Sequence, residues 1–208
     1  QLLAPYAPPE RSGARLSEVE IANLGCYGYG IKPYALAMIE TAIELSDGRI
    51  SGAEIGKIVD LARGMLAARV ELLEHAEQTV RTLAATYPLM VITKGDPLDQ
   101  TAKVARSGLA DCFRYVEVVS DKTREVYAGI LARYRLQPGR FLMVGNSLRS
   151  DILPVVALGG RAVHVPYRTT WGHECVEPSA EERARYEEIA HLGLLPALVE
   201  EMGRGAAQ

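Results

Sequence analysis

Residues 141–151 read FLMVGNSLRSD: four apolar residues, a glycine, and then Asn146, Ser147, Ser150 and Asp151 within six positions. A short apolar run closed by glycine and followed by a helical pattern is a strand–loop–helix unit whose strand is covered on both faces. One side-chain cap is enough to start such a helix. The surplus of small polar groups therefore needs another explanation.

Working outward, the same grammar recurs. Residues 89–93, 116–120 and 161–165 are further strand candidates, with helices expected near 97–107, 123–135 and 150–158. Gly108 and Gly159 stand as helix stops, and Asp96 before Pro97 is a cap and first-turn pair. Alternating strands and helices give a doubly wound parallel α/β core. Before Pro88 no β run appears. LSEVEIANLG, ALAMIETAIELSDG and SGAEIGKIVDLARGMLAARV place apolar residues at helical spacing, and a further helix is expected near 71–86. The expected organisation is a helical domain over residues 1–86 and an α/β core over 87–208, closed by two helices after about residue 179.

Composition narrows the function. The chain has 208 residues, 48% of them hydrophobic, and a net charge of −3. With a pI near 5.9, it offers no basic field for nucleic acid or anionic membrane. Cys26, Cys112 and Cys175 are odd in number and widely spaced. This argues against a disulfide framework or zinc site and fits a reducing, cytoplasmic location. No apolar run approaches the ~18 residues of a membrane helix. A small-molecule substrate is the expected partner, and oligomeric state is not legible.

In an open parallel sheet, ligands bind beyond the carboxyl ends of the strands. The first strand ends in Thr93-Lys94-Gly95-Asp96, the second is followed by Lys122, and the third by Asn146 and Asp151. Each group has a plain alternative as a helix cap or solvated charge. Together they present a hydroxyl, a cation, and then an amide and a carboxylate, the groups a phosphate and a hard cation such as magnesium require.

VITKGD, SDK and VGNSLRSD resemble the second, third and fourth motifs of the haloacid dehalogenase superfamily of hydrolases, most of them phosphatases. The resemblance spans essentially the whole chain and implies a Rossmann-like core with an all-α cap domain. It further implies that Thr93 holds the transferring phosphoryl oxygen, with Lys94 and Gly95 beside it, that Lys122 bridges nucleophile and phosphate, and that Asp151 with Asn146 organises Mg2+. In the helical part, Tyr27, Tyr29 and Lys32 of YGYGIKPY are candidate substrate contacts, or else a glycine-hinged turn packing its tyrosines. TTWGHE, residues 169–174, is expected to rim the opening, and a metal role for His173 is not expected.

Two features depart from that pattern. A strand ending in Asp-x-Asp, whose first aspartate is the family nucleophile, is absent: Asp47 and Asp60 are the only aspartates before residue 90, both in helical contexts. That strand would lie between those ending at Thr93 and Gly145. Each buried N–H or C=O it left unpaired would cost about 1–3 kcal/mol, against a net stability of about 5–15 kcal/mol. A segment before Gln1 carrying the nucleophile is therefore expected. The second departure is Asn146, which supplies no charge where many phosphatases carry Asp. The expected activity is a Mg-dependent phosphatase working through an aspartyl-phosphate. A metal-independent 2-haloacid dehalogenase and a catalytically degenerate binding protein stand as alternatives.

Overall fold

The computed structural model describes residues 3–205 and divides into two compact units. One holds residues up to Val70 together with Lys94–Lys103, and the other holds Glu71–Thr93 and Val104 onward.

The first unit is helical. Helix α1 (Pro9–Tyr27) starts on a proline, whose missing N–H costs nothing there. It runs well past the short helix expected from LSEVEIANLG, because Gly13 and Gly25 fall inside it without breaking the turn. Helix α2 (Ile31–Leu45) follows the glycine-rich turn, and α3 (Gly52–Ala67) opens on a reciprocal cap between Ser51 and Glu54. Ala42, Ile50 and Ile58 form the buried core of this unit.

In the second unit, α4 (Ala76–Ala84) begins later than the periodicity suggests. His75 adopts φ +65°, a left-handed conformation that cannot continue a helix backwards, and Leu72 and Leu73 stay exposed. Strand β1 (Leu89–Lys94) follows, then α5 (Pro97–Arg106), whose first turn Asp96 caps through the Asp99 N–H at 3.0 Å. Strand β2 (Phe113–Val119) leads to α6 (Arg124–Arg133), capped by Thr123. Glu117, buried on β2, accepts from Arg133 at 2.8 Å and Tyr134 at 2.5 Å and ties strand to helix.

Strand β3 (Leu142–Gly145) passes into a π-helical turn over Leu148–Ile152 and then the short α7 (Leu153–Val156). The expected single helix over 150–158 is thus broken in two, with an i→i+5 bond from Ile152 N–H to the Ser147 carbonyl at 3.2 Å. Strand β4 (Arg161–His164) lies parallel to β3, with Gly145 opposite His164. After the short α8 (Ala180–Arg183), the two-residue β5 (Glu187–Glu188) pairs parallel to β4 before α9 (Leu195–Gly205). The closing segment is therefore a helix, a strand and a helix rather than two helices.

The strands form two sheets, β1-β2 and β3-β4-β5. Among the described residues no ladder joins β1 to β3, so each is an edge. Their side chains nonetheless share one core, in which Ile92 of β1 and Met143 of β3 are buried with Tyr127, Ile130 and Val155. Neither Asp47, in a turn at φ +51°, nor Asp60, within α3, lies on a strand. The expected segment before Gln1 lies outside the described residues.

Ile130 is 3% exposed in this core. Ile130→Ala is expected to lower stability by about 2–5 kcal/mol in chemical denaturation without altering substrate affinity.

Candidate functional site

The carboxyl ends of β2 and β3 meet through one ion pair. Lys122 Nζ lies 2.7 Å from Asp151 Oδ1, with the side chains 12% and 6% exposed. Out of water, such a pair holds only when its remaining hydrogen-bonding capacity is met. Here the Ser147 N–H donates to Asp151 Oδ2 at 3.0 Å. Lys122 lies two residues before α6, and one turn into that helix the Tyr127 hydroxyl donates to the Ser150 carbonyl at 3.0 Å. Helix α6 is thereby anchored to the turn that carries Asp151.

Asp151 reaches this position because Gly145 has no side chain. A Cβ there would lie 2.2 Å from Asp151 Oδ2, far inside van der Waals contact. The π-helical turn accommodates one residue more per turn than an α-helix, a feature concentrated at functional sites. It keeps the Asp151 N–H on the Ser147 carbonyl at 2.8 Å while turning the carboxylate back over Gly145.

The other polar groups of GNSLRSD reach the segment after β4. Asn146, exposed, donates through Nδ2 to Thr170 Oγ1 at 2.8 Å. Ser147 Oγ donates to Glu174 Oε2 at 2.5 Å, and Ser150 Oγ donates to the same oxygen. Arg149 bonds the His173 carbonyl at 3.2 Å. His164 bridges Glu188, at 2.9 Å, and the Asn146 carbonyl, at 3.2 Å. Nothing in TTWGHE itself singles out Glu174, the buried carboxylate on which both serine hydroxyls converge. Two serines where one cap would serve are the available signal.

Thr93 is half-buried at the end of β1 in the same unit. The remaining candidates lie in the helical unit, which takes up the chain at Lys94. Lys94 Nζ sits 4.0 Å above the Tyr29 ring, a cation–π distance. Gly95 has φ +139°, open to glycine and strained for other residues. Lys32 pairs with Asp96 at 2.9 Å, and this hydrogen bond holds the Asp96 carboxyl below its usual range. YGYGIK and TKGD are thus in contact, with Tyr29 and Lys32 in the cluster and Tyr27 exposed at the end of α1.

As metal donors, Asp151 and Asn146 offer one carboxylate and one amide on a single loop. Among the described residues no three His, Cys, Asp or Glu side chains gather into a metal cluster. The donor chemistry nevertheless fits magnesium as a partial set. That ion keeps several waters and takes one or two carboxylates with substrate oxygens, and a carboxylate oxygen can accept a second partner.

No family model and no curated protein matches the chain. Among solved structures, a haloacid dehalogenase-like family hydrolase from Xanthomonas campestris is 38% identical, covering 100% of this chain and 83% of its own, with a TM-score of 0.85. A 2-haloacid dehalogenase from Pseudomonas syringae pv. Tomato is 21% identical (97% and 84% covered, TM-score 0.61), and a predicted phosphoglycolate phosphatase from Haemophilus somnus is 14% identical (90% and 88%, 0.62). The latter two show a shared fold: a mixed α/β chain with parallel-strand, Rossmann-like sheets and a helical cap.

Gly145→Ala is expected to displace Asp151, costing about 1–3 kcal/mol of stability and most of the activity, read by denaturation and turnover. Burial, then the charges of Asp151 and Glu174, push the Tyr127 phenol well above its ordinary value. The folded state thus keeps a proton that the unfolded chain loses near pH 10. Stability is fully present below that pH and falls by up to about 1.4 kcal/mol per pH unit above it. Tyr127→Phe should flatten this alkaline fall in pH-dependent unfolding.

Proposed function

The chain belongs to the haloacid dehalogenase-like family of hydrolases, and we propose that it hydrolyses a small phosphomonoester through an aspartyl-phosphate, with magnesium as cofactor. The observation carrying this reading is the buried Lys122–Asp151 pair, 2.7 Å apart just past the ends of β2 and β3. Lys122 neutralises charge on the phosphoryl group, and Asp151 orients the ammonium. Thr93 holds a phosphoryl oxygen at the end of β1, assisted by the backbone N–H groups of Lys94 and Gly95. In phosphoryl transfer, positioning and charge neutralisation supply most of the rate.

The nucleophile of this reading is an aspartate carboxylate on a strand that would pair with the open edges of β1 and β3. This carboxylate attacks phosphorus, the P–O bond to the leaving alcohol breaks, and the alkoxide takes a proton from water; a second water then hydrolyses the aspartyl-phosphate, releasing inorganic phosphate and restoring the carboxylate. When bound, magnesium held by Asp151 and the Asn146 amide would supply Lewis-acid neutralisation. Tyr27, Tyr29 and Lys32 of the helical unit are the candidate substrate contacts of this reading. A cytoplasmic location fits three unpaired cysteines, and among the described residues no helix is long and apolar enough to cross a membrane.

A second reading, a metal-independent 2-haloacid dehalogenase, is favoured by one observation. Both Asp151 oxygens already have partners, and Asn146 brings no charge. The native protein should release phosphate from an aryl phosphate, and EDTA should abolish turnover. Lys122→Ala should lower that turnover about 100-fold or more. Halide release from a 2-haloacid in EDTA, without phosphatase activity, would establish the second reading instead.

A further inference from the structure

Glu174 is a buried carboxylate that the proposed reaction leaves without a task. It ends the short turn Gly172–Glu174 that follows β4, and its Oε2 receives both the Ser147 and the Ser150 hydroxyl. A serine has a single hydroxyl proton. Both are spent on Glu174, so neither serine has one for substrate.

The consequence reaches the ion pair in a few bonds. With its proton committed, Ser147 Oγ presents a lone pair to the Ser150 N–H at 2.9 Å. The Ser147 N–H is aimed at Asp151 Oδ2, and Asp151 Oδ1 meets Lys122. The same segment is fastened to the turn at Thr170 by Asn146 and at the His173 carbonyl by Arg149. The surplus polarity of GNSLRSD is accounted for: Asp151 faces Lys122, and the rest holds the turn against residues 170–174.

We propose that Glu174 is the positioning residue of this site. It locks the π-helical turn so that Asp151 holds Lys122 in register, and it acts on turnover rather than substrate affinity. The proposal rests on the Lys122–Asp151 pair being the hydrolytic centre and not on which ester is cleaved. A misplacement of about 1 Å at such a centre is worth up to about 100-fold in rate.

The test uses the full-length protein with an aryl phosphate and hydrogen exchange read peptide by peptide. Glu174→Ala should lower kcat about 10–100-fold with KM within about twofold. It should speed exchange in the peptide spanning residues 145–153 about tenfold or more, leaving the core helices protected. In Glu174→Gln the amide oxygen still accepts both hydroxyls, so kcat should return to within about fivefold of wild type. A Ser147→Ala/Ser150→Ala double variant should match Glu174→Ala, and adding Glu174→Ala to it should change nothing further. Unchanged exchange in Glu174→Ala, a Gln variant no better than Ala, or additive effects of the serine and glutamate changes would each overturn the proposal. Failure of the phosphatase reading shows differently, as a wild type that releases no phosphate; exchange and additivity then decide on Glu174 alone.

Discussion

The second unit is organised by the need to keep one buried ion pair satisfied. Lys122 and Asp151 are largely out of water, and a lone charge at either position would cost several kcal/mol. The pair requires a residue without a side chain at Gly145, a wide turn after Ser147, and a helix anchored by Tyr127 to the turn's own backbone. These come from β3, the loop behind it and α6, so the pair fixes how three neighbouring elements meet. The hydrolysis proposed above asks for the same thing, a cation held still where charge develops.

The sheet itself was largely legible in the sequence. Continuous apolar runs such as LMVIT and FLMV can be little else than strands covered on both faces, and the observed strands overlap every expected one. Asp96 was recognisable as a cap because its chemistry is local. Less legible were features set by tertiary context. His75 breaks the helical pattern through its backbone conformation rather than its residue type. The π-helical turn depends on a bond to the Ser147 carbonyl that periodicity does not encode.

Of the candidate site residues, Lys122 and Asp151 stand out in the sequence by following strands, and their side chains meet. Glu174 could not be found this way, because it lies 24 residues from Ser150 in a loop whose path depends on where β4 ends. Its signature was indirect: two serines where one cap would serve. The pairing of Lys32 with Asp96 was hidden for a similar reason, 64 residues separating the partners.

The two open edges, on β1 and β3, have a meaning beyond the reaction. An edge strand with a sequence such as LMVITK exposes backbone donors and acceptors beside apolar side chains, which is a template for another chain. A strand paired along those edges would also keep neighbouring molecules from adding to the sheet. Solubility would then rise and fall with that backbone pairing.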